Sequence, residues 1–326
     1  MKAWQVVELG EPRDVMRPAD VPTPTPGPGE ILVKVHAVAL NFPDVLMCRG
    51  LYQVKPPLPF TPGVEMCGTV EAVGAGVTGY APGDRVIGTP VGGALAEYVL
   101  LGAADVLPAP AALSNAQAAS FHIAYQTGWF GLHRRAALRA GETLLVHAAA
   151  GGVGSAAVQL GKAGGARVIG VVGGPDKAEV ARSLGADVVV DRRAGDFVAV
   201  VKEVTGGRGA DVIYDPVGGD TFQRSTKCVA FEGRLLVIGF ASGEIPSVAA
   251  GHALVKNYSV VGLHWGLYRQ HDPASIVEAH QRLSELAAEG VAVPLVSAVI
   301  PFDEAPEGIA RLAAGETTGR VVVAAG

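Results

Sequence analysis

The stretch Val146-His-Ala-Ala-Ala-Gly-Gly-Val-Gly154 determines the predicted fold. It directly follows a strand-like run, Thr143–His147, and it opens a helical pattern. Gly151 and Gly152 permit a tight turn in which no Cβ separates the backbone from a ligand, and Gly154 lets the helix pack closely on a sheet. This spacing is typical of a turn that binds the pyrophosphate of a dinucleotide, although a glycine-rich turn without a ligand would look similar.

Short β-branched runs alternate with helical patterns over residues 143–239. The predicted strands are Thr143–His147, Arg167–Val172, Asp187–Val190, Asp211–Tyr214 and Arg234–Gly239. The predicted helices are Val153–Lys162, Lys177–Leu184, Phe197–Val204 and Thr221–Val229. This alternation implies right-handed βαβ units and a doubly wound parallel sheet, which makes the fold class α/β. In that setting the amides of Gly152 and Val153 would point at a phosphate from the positive end of a helix.

The end of the second strand indicates which dinucleotide is bound. Enzymes that use NAD usually carry Asp or Glu there, because the carboxylate accepts hydrogen bonds from the ribose hydroxyls. Here Gly173 and Gly174 follow the strand and leave room for a 2′-phosphate, and Lys177 and Arg192 are cations that could pair with it. We therefore predict NADPH as the cofactor. The neighbouring carboxylate of Asp176 argues against this assignment, and Lys177 could instead be a solvated lysine in the first turn of a helix.

The composition is that of a globular chain with a nearly balanced charge. Hydrophobic residues make up 49% of the 326 residues and charged residues 17%, so a large core can form and disorder is not expected. The net charge of −5 offers no basic surface for nucleic acid. No apolar segment is long enough to span a bilayer, and no signal peptide is recognisable. Three cysteines stand far apart, so we expect a soluble cytoplasmic protein without a disulfide framework.

Residues 1–110 have a different character from the middle of the chain. Gly and Pro interrupt short strand-like runs such as Ile31–Val38, which predicts a compact, mostly β domain. The proline-rich run Pro22–Gly29 predicts an extended surface connection between strands. After Val261 the pattern is mixed again, with a helix over Pro273–Glu289 and a strand at Arg320–Val323. The nucleotide-type domain should therefore interrupt a discontinuous second domain.

Several further motifs, in order along the chain, resemble the zeta-crystallin/quinone oxidoreductase branch of the medium-chain dehydrogenase/reductases. The motifs are Ala39–Asp44, Thr61–Gly68, Pro82–Val86, Gly141–Gly154, Asp215–Gly219, Lys256–Tyr268 and Thr318–Val323. The resemblance implies a GroES-like, mostly β catalytic domain at residues 1–120 and 262–326. It implies a Rossmann domain that binds NADPH at residues 121–261.

The resemblance also implies which residues contact the cofactor. The family's contacts would fall on Asn41, Thr127, Gly152, Val153, Gly173, Lys177 and the stretch from Ile238 to Phe240, and Leu263 to Trp265 would flank the nicotinamide. At position 192 relatives often carry a tyrosine near the adenosine phosphate. This chain has Arg192, which could pair with the phosphate instead.

The catalytic residues implied by the resemblance are Asn41, Asp44 and Tyr52. Asp44 and Tyr52 match positions that line the substrate site, although Asp44 could serve only to start a helix. Metal-dependent relatives supply a zinc ligand from a Gly-His-Glu sequence, where this chain has Gly63-Val64-Glu65, and Asn41 stands where they have cysteine. Zn²⁺ needs about three protein ligands, so we expect no metal.

These expectations combine into a hypothesis for the reaction. NADPH would reduce a quinone or an alkene conjugated to a carbonyl, with the proton supplied by Tyr52 or by water. A reductase of enoyl thioesters or 2-haloalkenoates would use the same hydride chemistry. A crystallin-like protein that holds NADPH with little turnover is the alternative of another class.

The run Asn257–Gly262 has strand character and, by the resemblance, is expected to be the outermost strand of the Rossmann sheet. An exposed apolar sheet edge is a liability unless it is paired or covered. We therefore expect a homodimer in which this strand pairs with its symmetry mate.

Overall fold

The computed structural model describes residues 1–325. The strands are, in chain order, β1 (Lys2–Val6), β2 (Met16–Asp20), β3 (Glu30–Ala39), β4 (Met66–Val73), β5 (Arg85–Gly88), β6 (Tyr98–Gly102), β7 (Val106–Pro108), β8 (Thr143–His147), β9 (Arg167–Val172), β10 (Val188–Asp191), β11 (Ala210–Asp215), β12 (Val229–Val237), β13 (Ser259–Gly262), β14 (Val296–Ile300) and β15 (Arg320–Ala324).

The α-helices are α1 (Pro12–Val15), α2 (Phe42–Cys48), α3 (Asn115–Ala119), α4 (His122–Trp129), α5 (Gly152–Ala163), α6 (Pro175–Ser183), α7 (Phe197–Val204), α8 (Gly219–Ser225), α9 (Ala250–Lys256), α10 (Tyr268–His271), α11 (Pro273–Ala288) and α12 (Ala305–Ala313). A π-helix covers Phe130–Arg135, and single 3₁₀ turns lie at Ala103–Asp105, Trp265–Leu267 and Phe302–Glu304. Among residues 1–325, no helix combines the length and the hydropathy that crossing a membrane requires.

The chain forms two compact units. The second unit along the chain comprises residues 124–292, and its six strands pair in the order β10-β9-β8-β11-β12-β13. All neighbours in this sheet are parallel. Each strand from β8 to β12 connects to the next through a helix, α5 to α9 in turn, which is the predicted doubly wound arrangement. Strands β9 and β10 are added on one side of β8, and β11 to β13 are added on the other, so the strand order switches between β8 and β11. In sheets of this kind, ligands bind at the carboxyl ends of the strands at this switch point.

The first unit comprises residues 1–123 and 293–326, of which the structure describes all but the last residue. Its main sheet has the order β14-β15-β3-β4-β5-β7, with β6 paired to β3. Pairing is antiparallel except between β14 and β15, and the sheet packs on a core of mainly Val, Leu, Ile and Met. The run Pro22–Gly29 joins β2 to β3 without forming a helix or strand, as predicted. This is the mostly β, GroES-like half of the prediction.

The boundary between the two units differs from the predicted one on its second side. The prediction placed the return to the first unit at 261/262, but the compact unit continues through α11 to Ala292. The side chain of Gln126, on α4, donates from Nε2 to the carbonyl of Ile276 on α11 at 3.0 Å. This buried contact attaches α11 to the second unit, and the mixed pattern after Val261 gave no sign of it.

One predicted element is wrong at its end. The helix predicted over Thr221–Val229 covers only Gly219–Ser225, and β12 already starts at Val229. The strand starts with the β-branched Val229 and the small Ala230. A bulge follows at Glu232, whose φ is +57°. The bulge interrupts the alternation of the strand, so the local pattern at its start resembles the end of a helix.

Candidate cofactor site and active site

The glycine-rich turn after β8 has the geometry that the sequence predicts. Gly151 caps the N-terminus of the twelve-residue helix α5, and its N–H donates to the carbonyl of Ala148 at 2.8 Å. A Cβ on Gly154 would lie 2.1 Å from that carbonyl oxygen, so only glycine fits there. Because the first-turn N–H groups of a helix have no intrahelical acceptor, the amides of Gly152 and Val153 are available to an anion.

The end of β9 carries three cations within one small region. A Cβ built on Gly173 would lie 3.3 Å from Nε and 3.4 Å from Nη2 of Arg192, so the guanidinium of Arg192 lies directly over this glycine. A Cβ built on Gly174 would lie 3.1 Å from Nη1 of Arg193. Lys177 lies in the first turn of α6. Its pKa is lowered, first by partial burial and then by repulsion from Arg193 and Arg192, as expected for a lysine beside two other cations.

The carboxylate of Asp191 is bonded to the backbone of this region. Oδ1 of Asp191, the last residue of β10, accepts from the backbone N–H of Gly174 at 2.9 Å and of Arg193 at 3.0 Å. These two bonds are the main reason that the pKa of Asp191 is lowered. Within residues 1–325, neither Arg192 nor Arg193 forms an ion pair. Because the guanidinium groups of Arg192 and Arg193 are unpaired in this part of the chain, they are suited to binding a doubly charged anion.

Arg193 was not among the predicted site residues. Adjacent arginines in a polar loop are typical of a solvated surface, and sequence alone does not show which glycine each side chain covers. The order of the two arginines after β10 was the available signal, since Arg192 and Arg193 cover Gly173 and Gly174 in the same order.

The ends of β11, β12 and β13 bring together further predicted residues. The N–H of Ile238 donates to the carbonyl of Asp215 at 2.9 Å, and a Cβ on Gly218 would lie 3.0 Å from the ring of Phe240. The N–H of Leu263 donates to the carbonyl of Val237 at 3.1 Å. These residues therefore lie at the carboxyl edge of the sheet, where the resemblance puts the cofactor.

Two further predicted residues of the same unit are placed by their elements. Trp265 is half-buried in the 3₁₀ turn after β13, with the guanidinium of Arg269 at 5.7 Å from its ring centroid. Thr127 is buried on α4. His147, at the end of β8, is buried against Ser225, with 2.8 Å between Nε2 and Oγ, and burial lowers the pKa of its imidazole to about 3. His147 is therefore a neutral part of the core beneath the site.

In the other unit, Asn41 belongs to a buried hydrogen-bonded network. Its Nδ2 donates to the carboxylate of Glu65 and to the carbonyl of Ala39, both at 3.0 Å, and its Oδ1 accepts from Nη1 of Arg320 at 2.8 Å. Glu65 also accepts from Nη2 of Arg320 and, at 2.7 Å, from the N–H of Ile123. The amide of Asn41 is thus fixed in one orientation by three partners.

Asp44 is fully buried, and both of its oxygens hold backbone. Oδ2 accepts from the N–H of Asn41 at 2.8 Å, and Oδ1 accepts from the N–H of Gly63 at 2.9 Å. Burial raises the pKa of this carboxyl to about 6, against the effect of these two hydrogen bonds. Asp44 therefore fixes the start of α2, which is the alternative that the sequence left open. Tyr52 is half-buried and packs against the core of this unit.

The residues that replace the family's zinc ligands do not fit a zinc ion. Val64 has no donor atom, and the Asn41 amide and Glu65 carboxylate are already bonded to the Arg320 guanidinium, whose positive charge would repel a metal ion. Among the described residues, no group of three or more His, Cys, Asp or Glu side chains could hold a metal ion.

Comparison with known proteins agrees with this architecture. Residues 27–111 match the alcohol dehydrogenase GroES-like domain, and residues 152–285 match the zinc-binding dehydrogenase family. A quinone oxidoreductase-like protein 2 homolog from Nematostella vectensis is 41% identical over 300 residues, which are 91% of this chain and 82% of that protein. A phthioceranic/hydroxyphthioceranic acid synthase from Mycobacterium bovis is 34% identical over 299 residues, 91% of this chain but 14% of that protein.

Among solved structures, Escherichia coli quinone oxidoreductase complexed with NADPH superimposes with a TM-score of 0.91 at 33% sequence identity. The match covers 99% of this chain and all of that one. Together with the GroES-like and Rossmann units, these likenesses show that the chain belongs to the quinone oxidoreductase-like oxidoreductases of the medium-chain dehydrogenase/reductase family.

Proposed function

We propose that this protein binds NADPH and uses it to reduce a quinone or an alkene conjugated to a carbonyl. The observation that carries the proposal is the group formed by Lys177, Arg192 and Arg193 around the two glycines after β9. A carboxylate at position 173 would favour the ribose hydroxyls of NADH, whereas three cations favour a 2′-phosphate. The Escherichia coli relative was solved with NADPH, which supports the same choice.

The remaining cofactor contacts divide among three parts of the second unit. The amides of Gly152 and Val153, at the start of α5, hold the pyrophosphate, and Gly151 keeps the turn open to it. Ile238 and Phe240 exclude water on one side, and Leu263 and Trp265 flank the nicotinamide. When bound, the nicotinamide supplies hydride, and these residues orient it.

The acceptor class follows from the donor set of the first unit. Val64 and the Asn41–Glu65–Arg320 network cannot hold a zinc ion that would stabilise an alkoxide. Quinones and conjugated alkenes accept hydride with little electrophilic help, so they suit a site of this kind. The side chain of Asn41 is bonded to Ala39, Glu65 and Arg320, and these bonds fix the backbone around position 41. Through this fixed backbone, Asn41 helps to position the cofactor or the acceptor.

In this proposal Tyr52 supplies the proton that a reduced alkene needs. Burial, followed by the charge of Asp44, raises the pKa of the Tyr52 phenol, so its hydroxyl stays protonated through neutral pH and can act as an acid. A water molecule is the other source of the proton. Asp44 acts through the backbone that it holds at the start of α2 and at Gly63.

Reduction of an enoyl thioester is the second candidate. It is favoured by the match of this chain to a 299-residue part of the mycobacterial phthioceranic/hydroxyphthioceranic acid synthase. A carbonyl-conjugated double bond is common to both candidates, so the same residues would serve.

Steady-state oxidation of NADPH and NADH with naphthoquinone, an alkenal and crotonyl-CoA tests the proposal. We expect NADPH to be oxidised with the quinone or the alkenal, at a rate that prolonged chelation does not change. A preference for crotonyl-CoA would favour the second candidate. Tight binding of NADPH without turnover of any acceptor would contradict the proposal and indicate a crystallin-like binding protein. Loss of activity on chelation, restored by Zn²⁺, would contradict the metal-free acceptor argument.

A further inference from the structure

The π-helix at Phe130–Arg135 is the least common backbone element in the second unit. The N–H of Ala136 donates to the carbonyl of Gly131, five residues earlier, at 2.9 Å. Such wide turns are rare and frequently occur at functional sites, because they change which side chains a helix presents to its neighbours. Nothing in the proposed binding of the cofactor uses Phe130–Arg135 directly.

The first contact of this π-helix is at Gly131. A Cβ on Gly131 would lie 3.3 Å from the ring of Tyr214, 3.4 Å from Cδ2 of Leu263 and 3.6 Å from Cδ1 of Ile238. A side chain at position 131 would therefore crowd Tyr214 and touch Leu263 at the limit of ordinary contact, while Ile238 would be met at a normal contact distance. Leu263 and Ile238 are both residues proposed to contact the cofactor.

The second contact is at Arg134. Its guanidinium lies 4.6 Å from the ring centroid of Tyr268 and 5.7 Å from that of Phe130, and its Nη1 forms an ion pair with Asp272 at 2.8 Å. The rings of Phe130 and Tyr268 are themselves 4.3 Å apart. The arginine thus joins the π-helix to both ends of α10, since Tyr268 begins this helix and Asp272 follows it.

We propose that Gly131 and Arg134 are positioning residues that fix the segment Leu263–Asp272 on the π-helix. Gly131 sets the depth of Leu263 at the start of this segment, and Arg134 holds Tyr268 and Asp272 at its end. Trp265 lies between the two contacts. The inference rests on the proposed function, in which Leu263 and Trp265 flank the nicotinamide, and it names the part of the protein that holds them in place.

The substitution Gly131→Ala tests the first contact. Alanine favours a helical backbone more than glycine does, but its Cβ crowds the buried ring of Tyr214, so we expect a small change in melting temperature and kcat is compared well below it. The added Cβ must displace Leu263 or Tyr214 by a few tenths of an ångström. We expect kcat with NADPH to fall about tenfold or more while the dissociation constant for NADPH stays within about threefold, because reacting geometry is more sensitive to such shifts than binding is. A kcat within about twofold of wild type would overturn the role of Gly131.

Arg134→Ala and Arg134→Lys test the second contact, with Arg282→Ala as the control. Arg282 forms an exposed ion pair with Glu285 on α11 of the same unit and touches none of these groups. In the wild-type protein the N–H groups of Leu267 and Asp272 are hydrogen-bonded within this segment. In protein without cofactor, amide hydrogen exchange of residues 263–272 should therefore be faster in Arg134→Ala than in wild type. Lysine keeps the charge opposite Asp272 but not the flat face over Tyr268, so it should restore kcat only in part.

Unchanged exchange in Arg134→Ala, or the same change in Arg282→Ala, would overturn the role of Arg134. The exchange measurement needs no turnover, so it is independent of the proposed reaction. Wild-type protein without NADPH-dependent activity would contradict the proposed function, whereas active wild type with unaffected variants would contradict only the positioning proposal.

Discussion

The guanidinium of Arg192 lies over Gly173, so close that a Cβ on the glycine would be 3.3 Å from Nε. The residue after the second strand of a Rossmann sheet commonly decides between the two nicotinamide cofactors. Here Gly173 leaves the space that the guanidinium of Arg192 occupies. A side chain at position 173 would have to displace the guanidinium, and a carboxylate there would pair with it.

Gly173→Asp should reverse the cofactor preference. The new carboxylate would neutralise Arg192 and repel a 2′-phosphate, while it could accept hydrogen bonds from the ribose hydroxyls of NADH. We expect kcat/KM for NADPH to fall by one to two orders of magnitude and that for NADH to rise. Gly173→Asn, which has nearly the same shape without the charge, is the matched control. Equal losses in the two variants would show that space rather than charge is responsible.

Tyr52→Phe should affect the two acceptor classes differently. A reduced quinone oxygen takes its proton readily from water, whereas a reduced alkene needs a positioned acid, which contributes about 10²–10⁴-fold. We expect kcat to fall about 10²-fold with an alkenal and to change little with naphthoquinone. Tyr80→Phe is the control, because it removes a half-buried hydroxyl that donates to the carbonyl of Val106. An alkenal rate that survives the loss of the Tyr52 hydroxyl would assign the proton to water.

Asp44 should make the wild-type protein more stable in mild acid, relative to Asp44→Asn. Burial raises its pKa to about 6, above an unfolded value of about 3.9, so the folded state binds the proton more tightly. Its contribution is therefore fully present below about pH 4 and is lost as the pH rises through about 6. The gap of about two pKa units corresponds to about 3 kcal/mol.

Denaturant unfolding of wild type and Asp44→Asn between pH 4 and pH 7 measures this effect. The free energy of unfolding of wild type minus that of the variant should increase as the pH falls. Asparagine cannot accept from both Asn41 and Gly63, so the variant should be less stable throughout. A difference that stays constant with pH, or shrinks in acid, would contradict the raised pKa.

The edge strand β13 should form a two-fold dimer contact. β13 ends the six-stranded sheet as predicted, and it carries no charged residue. The helix that precedes it exposes Leu254 by 80% and Val255 by 84%. Leu254 and Ser259 line the same surface depression, so this exposed leucine lies next to the strand edge. An unpaired edge beside exposed apolar side chains is suited to pairing with a symmetry mate.

Light scattering at micromolar concentration should give the mass of two chains for wild type. The double substitution Leu254→Glu/Val255→Glu should shift the protein to monomer. Val277→Glu, at a 54% exposed position on α11, is the control and should remain dimeric. A monomeric wild type would contradict the predicted dimer.

Local patterns were sufficient to predict the parallel sheet and the glycine-rich turn that opens α5. The predicted and observed starts of α5 differ by one residue, Val153 against Gly152, because periodicity and glycine spacing are both local signals. The mostly β unit followed from Gly and Pro punctuation in the same way. Positions such as Gly154, where a Cβ would meet a carbonyl oxygen, need glycine for reasons that the local sequence already contains.

Contacts that depend on the folded chain could not be read from the sequence. Glu65 and Arg320 are 255 residues apart, and neither belongs to a motif that requires the other. The π-helix leaves no pattern of its own in Phe130–Arg135, and the contact of Gln126 with Ile276 that attaches α11 to the second unit forms only on folding. The position of the Arg193 side chain over Gly174 could not be predicted either, because the two residues belong to different βα turns.

The central claim is that Lys177, Arg192 and Arg193 together bind the 2′-phosphate of NADPH, and the ratio of kcat/KM for NADPH to that for NADH tests it. The ratio is measured at one fixed salt concentration for wild type and the three single alanine variants, because salt screens such contacts. Arg182→Ala, which removes a cation of α6 paired with Glu179, is the control. Each charge-assisted contact contributes about 1.5–3 kcal/mol, so each variant should lower the ratio by about one to two orders of magnitude and leave NADH nearly unchanged. A wild type that uses both cofactors equally, or variants that weaken both equally, would contradict the claim.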